Sequence, residues 1–397
     1  MCIMKSRSAS PRERVAVACV AATALLLNCT GAYAHVKWFS KVVNCTSTPL
    51  NIGSILASPM FVALFIAALA VMAGVCRVDK LAAERYPYLH RSPSVLEHRR
   101  ADRAALLLRV GVGIYFLSVF LYRDERPFIL TPELWTKATW VPLVQLAIAA
   151  AVLSRHTVPL AAAGILLLYG NAVALYGWFH MLDYLYFIGV ASFLAISVSE
   201  GQVRPSLGFT LLRVLTGFSL MWVSVEKWVY PSWTYDILAR DLANITMGLD
   251  PRFVVMAAGF VEFSLAFLIV FGRLSARVAA VALLALLIGA IPLVGMLDAV
   301  GHAPLIVVLL VFAAGPNPLG AAGPNHLPWN GRAHAISFAA GVVGLIGLYH
   351  VTHALAYPRL DNVLSLNMLV AAAMLIPLRW VTTVGCGVPA RRYAAQI

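Results

Sequence analysis

Long apolar runs, separated by short polar stretches, recur along this chain from end to end. After residue 35 they predict eleven helices, near 55–76, 104–122, 138–153, 158–177, 181–198, 209–228, 252–271, 277–297, 303–315, 335–356 and 363–381. Runs such as "FVALFIAALAVMAGV" (61–75) approach the length that carries a helix across a bilayer. Strands of a membrane barrel would instead alternate polar and apolar positions. The pattern therefore predicts an all-α polytopic membrane protein.

The first run is of a different kind. "MCIMKSRSASPRER" is basic, "VAVACVAATALLL" is a short apolar core, and Ala32-Tyr33-Ala34 supplies a small–x–small cleavage pattern. Residues 1–34 thus read as a signal peptide, and cleavage makes His35 the mature N-terminus. The competing readings are an uncleaved first span and a lipoprotein signal ending at Cys29, although Asn28 is larger than such a signal usually tolerates. Residues 35–103 then comprise a periplasmic N-terminus, the first span and a basic cytoplasmic loop. The 335–381 stretch is a C-terminal helix pair, and 382–397 a cytoplasmic tail.

Between them the chain repeats itself. "LLLRVGVGIYFLSVFLY" (106–122) and "TLLRVLTGFSLMWVSVE" (210–226) share Leu-Leu-Arg-Val, with Gly four residues after Arg109 and Arg213. "HMLDYLYF" (180–187) and "GMLDAVGH" (295–302) share Met-Leu-Asp. Two parallel four-helix units follow, 104–198 and 209–315, both starting on the inner side. The second unit resembles the DoxX family in "LLRVLTGFSLMWVSVEKWVYP" and in "GFVEFSLAFLIVFGRLSARVAAVALLALL", with Glu262 and the Gly272-Arg273 turn. The first unit has Gln145 where the second has Glu262. The resemblance implies a four-helix bundle and an association with sulfur and quinone redox systems.

Composition agrees: 61% of the 397 residues are hydrophobic and 12% charged, against about half and one quarter in soluble domains. The net charge of +13 does not point to nucleic acid, because the basic residues sit in short loops. A cleaved signal places the new terminus outside. On that assignment inner loops hold about fifteen Lys and Arg and outer segments about nine, as the positive-inside rule requires. A bacterial inner membrane is expected, with a periplasmic N-terminus and a cytoplasmic C-terminus. The six cysteines form no CxxC or other metal spacing, and only Cys45 is expected outside.

Ionisable residues inside spans are costly and mark function or helix pairing. Arg109 and Arg213 lie near inner helix ends, where snorkelling or structural pairing accounts for them. Glu226 and Lys227 read as an interfacial ion pair, and Glu262 as a packing or proton-handling carboxyl. Of ten histidines, five fall on the outer side: His35, His180, His302, His350 and His353. The spacings His180/Asp183, Asp298/His302 and His350/His353 each share a helical face. Imidazole is the commonest metal ligand and carboxylates orient it.

A terminal His35 offers its amine and ring nitrogen together, and one further imidazole makes an N₃ site suited to copper. This resembles the histidine brace of copper proteins. "VKWF" (36–39), with Lys37 and Lys41, reads as an interfacial anchor holding that terminus at the outer surface.

These features predict a periplasm-facing copper site in an oxidoreductase, or an oxidoreductase subunit, coupled to quinone and to a periplasmic redox or copper partner. A b-type haem between outer histidines is a further option. The rival readings are a non-catalytic copper-handling or transport protein and a structural or assembly subunit.

Overall fold

The computed structural model describes residues 37, 40, 42–86, 94–122, 127–197, 205–241, 246, 248–294, 296–315 and 330–358. The expected signal segment, His35, Trp38, Phe39, the helix expected over 363–381 and the expected tail lie outside these. The helices are α1 (Ile52–Leu56), α2 (Pro59–Arg85), α3 (Ser94–Leu121), α4 (Trp140–Ala151), α5 (Val158–Tyr176), α6 (Leu185–Ser197), α7 (Pro205–Val229), α8 (Pro231–Asp241), α9 (Pro251–Phe271), α10 (Leu274–Val294), α11 (Met296–Ala314) and α12 (Gly331–Ala356). A 3₁₀ turn, His180–Tyr184, precedes α6.

Eight helical stretches among the described residues are long and apolar enough to cross a membrane, and α4 and the 299–314 part of α11 are shorter apolar helices. Ten of the expected helices therefore have a counterpart, eight of them of spanning length. The twelve residues of α4 rise only about 18 Å, less than the ~30 Å hydrocarbon core. The segment 127–139 folds over that end of the bundle through a bridge between Phe128 and Trp135. It is held by Gln145, whose Nε2 donates to Phe128 O at 2.5 Å and Ile129 O at 3.2 Å.

Eight helices close into a ring. Going round it, α3, α4, α5, α6, α7, α9, α10 and α11 each pack on the next, and α11 returns to α3. The closure is tight: a Cβ on Gly111 of α3 would sit 2.4 Å from Val307 of α11. Helices α2 and α12 pack together on the outside of the ring, against α9 and against α7 and α9 respectively. Apolar side chains of α2 that face away from the ring, such as Ile66, Val71 and Leu81, are exposed. That is the character of a lipid-facing surface.

One arrangement occurs twice. Arg109 donates through Nε and Nη2 to Val152 O at 2.9 and 2.8 Å, and through Nη2 to Leu153 O at 2.9 Å. Arg213 does the same to Ile269 O at 3.0 and 2.7 Å and to Val270 O at 2.8 Å. Each guanidinium caps the carbonyl end of the next ring helix, where the helix dipole favours a cation. Four residues on, Gly113 and Gly217 lie against Val152 and Val270. At this same end of the bundle, Asp79 of α2 accepts from Arg273 N, Ser275 N and Ser275 Oγ at 3.1, 2.9 and 2.6 Å. It thereby pins α2 to the start of α10.

Candidate functional site: a buried charge cluster at the opposite end

The other end of the ring collects ionisable groups. Lys37 does not lie at an interface as an anchor would; it is 7% exposed and points into the protein. Its Nζ lies 2.7 Å from Asp183 Oδ2 and 2.6 Å from Glu226 Oε1. The indole of Trp233 lies 5.6 Å from it. A buried ammonium costs several kcal/mol unless it is paired, and two carboxylates and an aromatic face supply the pairing. Burial by itself lowers the Lys37 pKa, but Asp183 and Glu226 outweigh it and hold the ammonium well above its usual 10.5.

Asp183 reaches this cluster from the 3₁₀ turn. Helix α5 stops at Gly177, whose φ of +84° is a conformation glycine adopts without strain. The chain then enters His180–Tyr184, in which residues three apart lie on one side. His180 and Asp183 consequently face the same cluster. The Glu226 carboxylate also accepts from Tyr349 Oη of α12 at 3.2 Å. Asp183 Oδ1 is buried without a hydrogen-bond partner among the described residues.

Beside Lys37 runs a second set. His180 Nε2 lies 2.5 Å from Glu133 Oε1, and Tyr184 Oη donates to Glu133 Oε2 at 2.6 Å. The His180 Nδ1 lies 3.7 Å from Cys45 Sγ. Burial pushes the Glu133 carboxyl up, yet His180, Lys37 and the Tyr184 hydrogen bond together hold it below its usual 4.5. His353 Nε2 lies 3.0 Å from Cys45 O and 3.1 Å from Tyr230 Oη, which itself donates to Ser47 O at 2.6 Å.

Glu226 and Lys227 do not pair with each other. Neighbours along a helix point about 100° apart, so Glu226 turns to Lys37 while Lys227 Nζ reaches Glu262 Oε2 of α9 at 2.7 Å. Glu262 is thus ion-paired, and His302 of α11 is buried within its electrostatic reach. Arg109 and Arg213 lie at the far end, as helix caps. His350 presents Nδ1 to Ile346 O at 2.8 Å and Nε2 to Leu50 O at 2.9 Å. The side chain of Asp298 and all of His35 lie outside the described residues.

Of the expected metal residues, His180, Asp183, His350 and His353 share one end of the bundle without converging. His180 faces Glu133 and Cys45, Asp183 faces Lys37, and His350 and His353 face backbone carbonyls. Among the described residues no group of three or more His, Cys, Asp or Glu is placed to hold a metal ion. What sequence reasoning missed is Glu133, and the pairing of Lys37 and Cys45 with this cluster. Each of those two carried only a signal of side, Lys37 as an expected outer anchor and Cys45 as the single cysteine expected there, while Tyr349 was expected among the outer aromatic residues.

The cluster adjoins a cleft of about 560 Å³ lined by Trp135, Thr136, Lys137, Asn171, Leu175 and Tyr176. Tyr176 forms both its wall and its link to the cluster: its Oη donates to Trp135 O at 2.7 Å, and its ring stacks on His180 at 5.8 Å. Asn171 Nδ2 is buried with no hydrogen-bond partner among the described residues. Compared with protein-family models, with curated proteins and with solved structures, the chain matches none.

Proposed function

We propose that this is a DoxX-like, quinone-linked membrane oxidoreductase subunit whose buried charge cluster handles protons on the outer face. The observation that carries it is the run of titratable side chains leading inward from the cleft: Tyr176, His180, Glu133, Lys37, Asp183 and Glu226. Ionisable groups buried in a helix bundle mark proton or ion pathways. The duplicated Arg-capped helix ends support reading 104–198 and 209–315 as two copies of one unit.

The cleft fits a quinone ring. Trp135 and Tyr176 offer flat apolar faces, Leu175 an apolar wall, and Asn171 a donor without a partner for a ring carbonyl. A quinol oxidised there gives up two electrons and two protons. The protons go to the His180–Glu133 pair, and the electrons to an acceptor on a partner protein. Copper held through His35 is the alternative from the sequence; the described side chains form no ligand set for it, and no step is routed through it.

The test is equilibrium binding of a short-chain ubiquinone to full-length protein in nanodiscs, with metal analysis of the same sample. Saturable binding is expected, and Asn171→Leu weakens it about tenfold, the equivalent of one hydrogen bond of ~1.4 kcal/mol. No saturable binding overturns the quinone reading. Stoichiometric copper in its place selects the copper-handling alternative.

A further inference from the structure

Cys45, His180 and Glu133 stand in the order nucleophile, base and orienting acid, a relation the proton-handling reading does not use. Cys45 is partly exposed. Its Sγ lies 3.7 Å from His180 Nδ1, while Nε2 of the same ring lies 2.5 Å from Glu133 Oε1. Nε2 of that ring is turned to the Glu133 carboxylate, so Nδ1 is the ring nitrogen that faces the thiol, the placement a general base needs. Glu133 is itself fixed by the 2.6 Å bond from Tyr184 Oη. The backbone of Cys45 is held as well, through its carbonyl, by His353. The ammonium of Lys37 lies within electrostatic reach of the same site.

We propose that Cys45 is a nucleophilic thiol that exchanges with disulfides at this end of the bundle, with His180 as its base and Glu133 as the positioning residue. His180 Nδ1 takes the Sγ proton, and the thiolate attacks one sulfur of the incoming disulfide. The old S–S bond breaks as the new one forms, and the departing thiolate recovers the proton from His180. One thiol and one disulfide give one mixed disulfide and one thiol, with no net oxidation. Attack by a second thiol on the mixed disulfide frees Cys45. Exchange suits this site better than acyl transfer because it needs no donors for an oxyanion, only a thiolate and a proton for the leaving group.

The experiment follows mixed-disulfide formation at Cys45, by peptide mass spectrometry, in full-length protein reconstituted in nanodiscs and treated with 4,4′-dithiodipyridine. At pH 6.5 the wild-type rate is expected to exceed that of His180→Asn by at least ~tenfold, the low side of the ~10²–10⁴-fold that a positioned general base contributes. At pH 9.5 solvent hydroxide removes the proton, so the two rates converge; a thermal unfolding transition like that of the wild type shows the variant is folded. Glu133→Gln slows the reaction at pH 6.5, and Glu133→Asp restores part of it.

The groups that shape this profile are Lys37, Glu133, Tyr176, Asp183, Tyr184, Glu226, Tyr230, Tyr349, His353 and Tyr357. Glutathione disulfide and a disulfide-linked peptide, offered separately, identify a small thiol or a polypeptide as the source; capture of either supports the exchange. Equal rates for wild type and His180→Asn at pH 6.5, or no capture of either disulfide, overturns it. The probe contains no quinone, so failure here leaves the quinone reading untouched.

Discussion

Lys37 is the residue on which the cluster turns, because it is the cation shared by two buried carboxylates. Removing it leaves Asp183 and Glu226 facing each other without a counter-charge. Lys37→Met is therefore expected to destabilise the protein by roughly 3–5 kcal/mol, the cost of stripping one partner from a buried pair. Adding Asp183→Asn and Glu226→Gln to it recovers most of that loss. Thermal unfolding in detergent measures both. Because its carboxylate neighbours hold the ammonium above 10.5, the Lys37 contribution is complete below that pH and fades only as pH rises through the higher folded value. The gap between wild type and Lys37→Met should thus not close between pH 7 and pH 10.

Helix pairs in this molecule are joined by a guanidinium and a glycine acting together. Arg213 gives three hydrogen bonds to the end of α9, and Gly217 lets α7 approach closely enough for them to form. A Cβ at 217 would stand 2.2 Å from Val270 Cγ2. Gly217→Ala is expected to cost ~1–3 kcal/mol through overpacking, with Val270→Ala recovering part of it. Arg213→Gln is expected to cost about 2–3 kcal/mol through lost charge-assisted bonds. Arg213→Lys should fall short of wild type too, since an ammonium lacks the planar fork. Unfolding midpoints of these variants check the set, and Arg109 with Gly113 should behave alike.

At the scale of the molecule, the ring has two chemically distinct ends. The Arg109, Arg213 and Asp79 end caps helices, and the Lys37 end holds the charge cluster and the cleft. On the orientation we propose, the Lys37 end faces outward. On a Cys45→Ser background, a membrane-impermeant maleimide is expected to label Val42→Cys in intact cells. Ser154→Cys, at the opposite end, should label only after permeabilisation. The reverse pattern would invert the protein and move the cluster to the cytoplasm.

How much of this could be read in advance differs by level. Ten of the eleven expected helices reappear because apolar length and continuity are local properties of the chain. The gathering of outer histidines at one end was legible for the same reason: helix phase and span order fix depth. The Arg–Gly repeat was visible as a pattern, although its purpose, the capping of α4 and α9, was not. Partners across the bundle were out of reach. Lys37 reads as a surface anchor until the 3₁₀ turn before α6 and helix α7 present carboxylates to it, and Glu226 and Lys227 read as a pair until their helix turns them apart.

The amino-acid sequence by itself determined that this chain is a membrane bundle, where its helices run and which residues stand near which end. The tertiary structure alone decided which side chains meet: that His180 takes Glu133 and Cys45, and that Asp183 takes Lys37. The physical reason is range. Hydrophobic periodicity acts over a turn or two of helix, whereas those contacts join residues 47, 135 and 146 positions apart. Only the closing of the ring and the packing of the segment that carries Lys37 and Cys45 onto it bring them within a few ångströms.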